Sequence, residues 1–396
     1  MKTRTLSRRQ FLAGSAAGLA ALGLSRRTGF AKTGPLPKPD KSGIRHIIVA
    51  MVENRSFDHL LGWHPNADAM QAGLVYYDAA GVPHSTWSLA PDYQGCAYGD
   101  PDHSWEGGRI ELNGGACDGW LLANDIYSIG YYRQQDLPFL GKAALDWTLC
   151  DRYFSAIMAA TYPNRFYQHC GVTDRLDDSL TPSTLPTIWD RLAAAHVPHK
   201  YYFSDVPFLG FWGTKYAGIT RPYSEFLADC AAGTLPAVSF VDPRFGGEDQ
   251  GVSGDYHPHG DIRTGEHWLY QTYRAITTSP AWKHTVLVIN FDEWGGFFDH
   301  IAPNEAPDVD PRFKLRGFRV PAIVVSPFAR RGYVDSTEFD HTSILKMIEW
   351  RWGLAPLSVR DQYANNLASV LDFSTVNRVA PDYSVPDVAS ALCPIL

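Results

Sequence analysis

The chain has no apolar run of membrane-spanning length. Its most hydrophobic continuous stretch, Leu12–Leu24, is too short to cross a bilayer comfortably. It has few cysteines, six in 396 residues (Cys96, Cys117, Cys150, Cys170, Cys230 and Cys393). None falls in a Cys-x-x-Cys pair, which argues against a thiolate zinc site. Positive charge is also short, with a formal net charge of −7. Residues 1–31 hold six basic side chains and no acids, so the remainder carries −13. That balance argues against nucleic-acid binding and against broad attraction to anionic membrane surfaces. No repeat or low-complexity tract follows the first thirty residues.

What is present begins at the amino terminus. Ser7-Arg8-Arg9-Gln10-Phe11-Leu12 precedes the short apolar run, and paired arginines in that position read as a twin-arginine export signal spanning residues 1–31. The expectation is a chain exported through the twin-arginine machinery to the periplasm or beyond, with no transmembrane segment after processing. Disulfides are then permitted. Cys96 with Cys117 is one conceivable pair, since both fall in a loop-like region, but pairing cannot be read from spacing.

At 45% apolar residues, the rest is ample for one large domain. Strand-like runs recur at Ile47–Val52, Lys200–Phe203, Ala237–Val241, Val286–Phe291 and Ala322–Val325. Helical patterns lie between them, around Leu185–His196, Tyr223–Ala232, Glu266–Thr277 and Ser343–Trp352. Alternation of this kind predicts an α/β fold, a mostly parallel central sheet with helices on both faces. Residues 64–135, rich in Gly, Asp, Tyr and Trp, read as a long loop-rich insertion or lid. The expected domain covers 44–353, and 354–396 is an extension packed on it.

Two of the strands end in polar residues. Ile47–Val52 runs into Glu53-Asn54-Arg55, and Val286–Phe291 runs into Asp292-Glu293. In open α/β sheets, ligands bind beyond the carboxyl ends of the strands. Adjacent carboxylates repel and need a cation or hydrogen-bond donors. Glu53, Asn54, Asp292 and Glu293 therefore read as an oxygen-rich site for a hard divalent cation. In Ala159-Ala160-Thr161-Tyr162-Pro163-Asn164-Arg165, the proline suits a helix's first turn. Thr161 then falls at a helix N-terminus, where anions are favoured, and its hydroxyl can cap, attack, or do both. Arg165 fits either a phosphate contact or an ion pair.

Four segments, in this order, resemble the motifs of the bacterial phosphoesterase family of phospholipases C and acid phosphatases, within the alkaline phosphatase superfamily. They are Glu53-Asn54-Arg55-Ser56-Phe57-Asp58-His59, the Thr161-x-Pro163-Asn164-Arg165 segment, Asp255-Tyr256-His257-Pro258, and Asp292-Glu293-x-Gly295-Gly296-Phe297-x-Asp299-His300. Asp102-His103 and Asp340-His341 resemble the family's first and last histidine motifs. The resemblance implies an alkaline-phosphatase-like fold. It also implies a divalent metal of unknown identity on Glu53, Asn54, Thr161, Asp292 and Glu293. Thr161 would be the nucleophile, with His103, His257 and His341 as catalytic histidines. The implied substrate is a phosphoester, phospholipids included. Threonine at the nucleophile position leans toward phospholipase C and cleavage through a phospho-threonine intermediate. The alternatives are an acid phosphatase acting on monoesters and a non-catalytic exported binding protein. A sulfatase-like reading is disfavoured, because no cysteine or serine stands in a formylglycine-type setting near Thr161. The aromatic stretch Tyr201–Gly213 with Asp205 reads either as a choline-binding face or as core strand and packing loop.

Overall fold

A computed structural model describes residues 35–393 except Asp249. The export signal expected at residues 1–31 lies outside the described residues. Among those described, the central sheet has eight strands: β1 (His46–Val52), β2 (Thr148–Cys150), β3 (His199–Phe203), β4 (Thr220–Pro222), β5 (Val238–Val241), β6 (Thr285–Phe291), β7 (Ala322–Val325) and β8 (Tyr333–Asp335). Their spatial order is β8-β2-β7-β6-β1-β5-β3-β4. All run the same way except β7, which is antiparallel to both neighbours. The fold is therefore the expected mostly parallel α/β sheet. No described helix is long and apolar enough to cross a membrane.

β1 lies in the middle because its residues suit no other place. Successive side chains of a strand point to opposite faces. Ile47 to Val52 are nonetheless all buried, so both faces of the sheet are covered. Parallel partners flank it: β6 with Val52 opposite Phe291, and β5 with Ala50 opposite Val241. Strand ends in register bring the residues that follow them together, so Glu53, Asn54 and Asp292 emerge side by side.

The 64–135 segment is loop-rich, as composition predicted, but it is not structureless. It carries two small ribbons, Val75–Tyr77 with Pro83–Ser85 and Trp87–Ser88 with Gly130–Tyr131, and the helix α1 (Trp105–Leu112). It has a core of its own, in which Trp120, Ile129 and Tyr131 pack with Trp294 and Phe298.

The carboxyl-terminal segment returns to the domain. Leu367, Val370, Leu371 and Tyr383 are buried in the main core, and Trp147 donates to the Tyr383 hydroxyl (3.1 Å). The one disulfide among the described residues joins Cys96 to Cys393, 297 positions apart. This corrects the Cys96–Cys117 pairing: Cys117 is a buried free thiol in the insertion core. Gln94 donates to Ala391 O (2.7 Å) and Gly251 O (3.1 Å), so the tail, the insertion and the 250–259 loop meet at one seam.

Asp340 caps the helix α3 (His341–Trp352) and binds Arg316 Nε at 2.7 Å and Arg360 Nε at 3.2 Å. Burial opposes its charge, but the two guanidinium groups prevail and hold its carboxyl well below the usual range. The stability it contributes is therefore present above the ordinary carboxylate pKa and is lost as pH falls toward the folded value. Asp340→Asn should cost about 3 kcal/mol at neutral pH, because two guanidinium groups lose the buried carboxylate they share, although Arg360 keeps Asp308 and Arg316 keeps Glu338. It should also flatten the loss of stability on acidification, as read by denaturant melts from pH 7 to pH 3.

Candidate active site

Three neighbouring parallel strands end in acids that meet on one guanidinium. The helix α2 (Thr161–Cys170) places Arg165 one turn inside its N-terminus, almost fully buried. Its Nε donates to Glu53 Oε1 at 3.0 Å, and its Nη2 lies 2.9 Å from the same oxygen, an ion-pair contact without a hydrogen bond. Its Nη1 reaches Asp242 Oδ1 at 3.3 Å, and its Nε lies 3.3 Å from Asp292 Oδ2. Of the two readings open for Arg165, the structure contains the ion pair. Asp242 was not singled out from sequence, although it follows the β5 run just as Glu53 follows β1.

Thr161 is the first residue of α2, and Ala160 occupies the cap position with no side-chain bond. The hydroxyl is thus not spent on capping. It donates instead to Asn54 Oδ1 at 3.1 Å. Tyr162 N, in the first turn, is satisfied by Asp178 Oδ1 at 2.7 Å, an anion where the helix dipole favours one. Asn54 has φ 53°, a left-handed conformation that asparagine tolerates. Its N–H donates to Asp292 Oδ1 at 3.1 Å. Glu293 Oε2 accepts from Gly295 N at 2.7 Å. Gly295 also has positive φ, and a Cβ there would lie 2.1 Å from Asn54 O, so only glycine lets the two motifs approach.

Among the described residues, Asp292 Oδ2 and Glu293 Oε1 are buried without a hydrogen-bond partner. Glu53, Asp242, Asp292 and Glu293 set four carboxylates against Arg165 and one histidine. Burial pushes the carboxyls of Glu53 and Glu293 well up and that of Asp292 to about 6, more than Arg165 pulls Glu53 and Asp292 down or His103 pulls Glu293 down. Uncompensated buried carboxylates and spare oxygens, with the Asn54 amide and Thr161 hydroxyl beside them, fit a hard divalent cation. Among carboxylate and imidazole side chains alone, the tight groups are Glu53–Glu248–His257, Asp100–His103–His257 and Asp58–Asp299–His300, each within 4.8 Å. The first two meet at His257. In the third, Asp58 and Asp299 are already held by the fully buried Arg319, at 3.1 and 2.9 Å. That network is the structural use of Asp58 and of the Asp299-His300 pair, while His59 bonds Gly130 O at 2.8 Å instead.

The histidines differ in kind. His103 comes from the insertion, with Nδ1 on Pro101 O (2.8 Å) and Nε2 3.4 Å from Asn54 Nδ2. Burial would lower its pKa, but the Glu293 and Asp100 carboxylates outweigh this and raise it to about 10. His257 is lowered by burial to about 4. Its Nδ1 bonds Pro258 O, which leaves Nε2 as the acceptor facing the pocket, 3.9 Å from Glu248 Oε2. His341 is fully buried beneath the site and away from the pocket lining. Its Nε2 holds Asp292 O at 2.6 Å, and Tyr153 and Asn290 hold its Nδ1. It touches the strand end rather than the space above Thr161.

That space is a pocket of about 490 Å³. Thr161, Glu53, Arg165 and His257 line its polar end. Tyr162, Phe208, Phe211 and Phe245 form an aromatic wall, with Asp178 and Glu248 as flanking acids. The aromatic stretch from 201 therefore splits: Tyr201 and Tyr202 are core, while Phe208 and Phe211 face the pocket. Asp205 is not part of a binding face, because its carboxylate accepts from the backbone N–H groups of Val206, Phe245 and Gly246.

The chain is 31% identical to phospholipase C A of Mycobacterium tuberculosis over 471 aligned positions, covering 96% of this chain and 88% of that enzyme. It is 29% identical to non-specific phospholipase C6 of Arabidopsis thaliana, covering 88% and 76%. Among solved structures, a protein of the alkaline phosphatase superfamily from Vibrio parahaemolyticus aligns with a TM-score of 0.40 at 9% identity, over 82% of this chain and 70% of that one. Sequence kinship to these enzymes and the strand-end site define a phosphoric-ester hydrolase. The chain belongs to the phosphoesterase family, whose model matches residues 44–355.

Glu293→Gln should lower the His103 pKa from about 10 toward its ordinary range. Titration of the labelled imidazole by NMR in chelated protein reads the shift directly.

Proposed function

We propose that this protein is an exported, divalent-cation-dependent phosphodiesterase of phospholipase C type, working through a phospho-threonine intermediate. The observation that carries the reading is the Thr161 hydroxyl. It is free of capping duty, bonded to Asn54, and set at a helix N-terminus beside three strand-end acids. Glu53, Asn54, Thr161, Asp292 and Glu293 are the residues that would hold the cation. Its chemistry when bound is Lewis-acid: it lowers the pKa of the coordinated hydroxyl and offsets charge on phosphate.

The residues of the chain perform the rest. Thr161 Oγ attacks phosphorus in line as the bond to the alcohol oxygen breaks. The helix N-terminus and the His103 imidazolium stabilise the equatorial oxygens, and His103 is the group that carries a proton to give the leaving alkoxide. His257, neutral and with Nε2 free toward the pocket, takes a proton from the water that hydrolyses phospho-Thr161. His341 acts through the Asp292 backbone, fixing the strand end that carries the ligands.

The aromatic wall and the pocket's size support a diester with a bulky alcohol over a bare monoester. The two flanking acids add a preference for head groups of positive charge. Phosphatidylcholine-like lipids satisfy both. The export reading rests on the paired arginines of the leader alone.

Thr161→Ala should abolish turnover and leave the fold intact, while Thr161→Ser keeps measurable activity. Intact-protein mass spectrometry of acid-quenched Thr161→Ser or wild-type enzyme should show a phosphorylated species. Assays with p-nitrophenyl phosphorylcholine and p-nitrophenyl phosphate should favour the former. Chelation should remove activity and metal together. Near-normal turnover by Thr161→Ala would end this account, and a preference for the monoester would move the enzyme to the acid phosphatases.

A further inference from the structure

We propose that Arg165 is a positioning residue for the cation site: it is a resident counter-charge that holds Glu53 and Asp292 as ligands and fixes which oxygen of Glu53 stays available. The inference rests on the metal reading given above and goes beyond it, because Arg165 itself cannot be a ligand.

The geometry is specific. Arg165 uses Nε, Nη1 and Nη2 on carboxylates from three different strands, a fork that a planar guanidinium can satisfy and an ammonium cannot. Glu53 Oε1 is occupied twice, at 3.0 and 2.9 Å, so its other oxygen is the one left over. Asp292 Oδ1 is occupied by the N–H groups of Asn54 and Glu293, at 3.1 and 2.7 Å. Its Oδ2 lies 3.3 Å from Arg165 Nε, within ion-pair reach but without a hydrogen bond. Each of the two acids therefore keeps one oxygen without a hydrogen bond, and Glu293 Oε1 is a third.

Arg165 itself is held from behind. Its guanidinium stacks on the Phe245 ring at 4.6 Å, and Asp242, which the metal reading does not include, takes Nη1. Asp242 is anchored in turn by the Tyr201 hydroxyl at 2.5 Å. The chain Tyr201–Asp242–Arg165–Glu53 thus runs from the buried core to the ligand carboxylates. In metal sites, such outer partners commonly set affinity by tenfold or more.

The test measures metal affinity separately from turnover. Chelated wild type, Arg165→Lys and Arg165→Met are titrated calorimetrically with Zn2+, Mn2+ and Ca2+ as the bare ions, with circular dichroism and thermal melts as the control for folding. Arg319→Lys, which loosens a different fully buried guanidinium network on Asp58 and Asp299, serves as the structural comparison. The expected result is that Arg165→Lys remains folded and binds the ion about tenfold or more weakly. Arg319→Lys should lose thermal stability at unchanged Kd. Arg165→Met, if it folds, should bind the ion at least as weakly as Arg165→Lys and show a smaller metal-induced rise in Tm than wild type. If Arg165→Met does not fold, the lysine variant decides alone. A wild-type Kd in Arg165→Lys, or equal weakening in Arg165→Lys and Arg319→Lys, overturns the proposal. Failure of wild type to bind any of the ions overturns it together with the metal reading, and the two failures are distinct in the data.

Discussion

One buried guanidinium joins the ends of three parallel strands, and the site is organised around that junction. Parallel strands in register deliver their following residues to one edge of the sheet. Here those residues are Asp292, Glu53 and Asp242, each an acid, so the edge would repel itself apart without compensation. Arg165 provides it from the first turns of α2. The same helix start carries Thr161. The residue that neutralises the acids and the hydroxyl placed against them are thus fixed by four residues of helix. A shift of α2 along its axis would break the ion pairs and misplace the hydroxyl together.

The electrostatics of the two pocket histidines follow from the same edge. His103 approaches from the insertion onto Glu293 and Asp100, and the anions outweigh burial. His257 is equally enclosed, but its neighbours do not compensate, so it stays neutral. One imidazole is kept as a donor and the other as an acceptor, with ring centroids 6.0 Å apart. Environment rather than residue type separates the two roles.

Outside the reaction centre, the insertion is bound to the domain by buried charge and by a covalent link. Arg319 ties Asp58 to Asp299, which locks the helix after β1 to the loop after β6. Gly295 and Gly296 then allow that loop to lie flat against Asn54 and Pro101. At the far side, the Cys96–Cys393 bridge and Gln94 hold the tail to the loop that carries Glu248 and His257. The two walls of the pocket are each anchored to a distant part of the chain.

The strand and helix runs were readable because burial on both faces leaves long apolar signatures, and Tyr223–Ala232 and Ala322–Val325 appear with the bounds their patterns predict. Local features likewise placed Glu53, Asn54, Asp292 and Glu293 just past strand ends and Thr161 at a helix start. Strands of three residues such as Thr148–Cys150 and Tyr333–Asp335 left no period to detect. The direction of β7 was equally hidden, because an apolar run reads the same either way. Tertiary structure alone decided that Arg165 pairs with three strand-end carboxylates, that His341 grips a backbone carbonyl, that Asp205 is consumed by a loop, and that Cys96 meets Cys393. Each of those outcomes depends on which distant partner arrives, and partner choice across hundreds of residues is set by packing the whole chain, not by any local pattern.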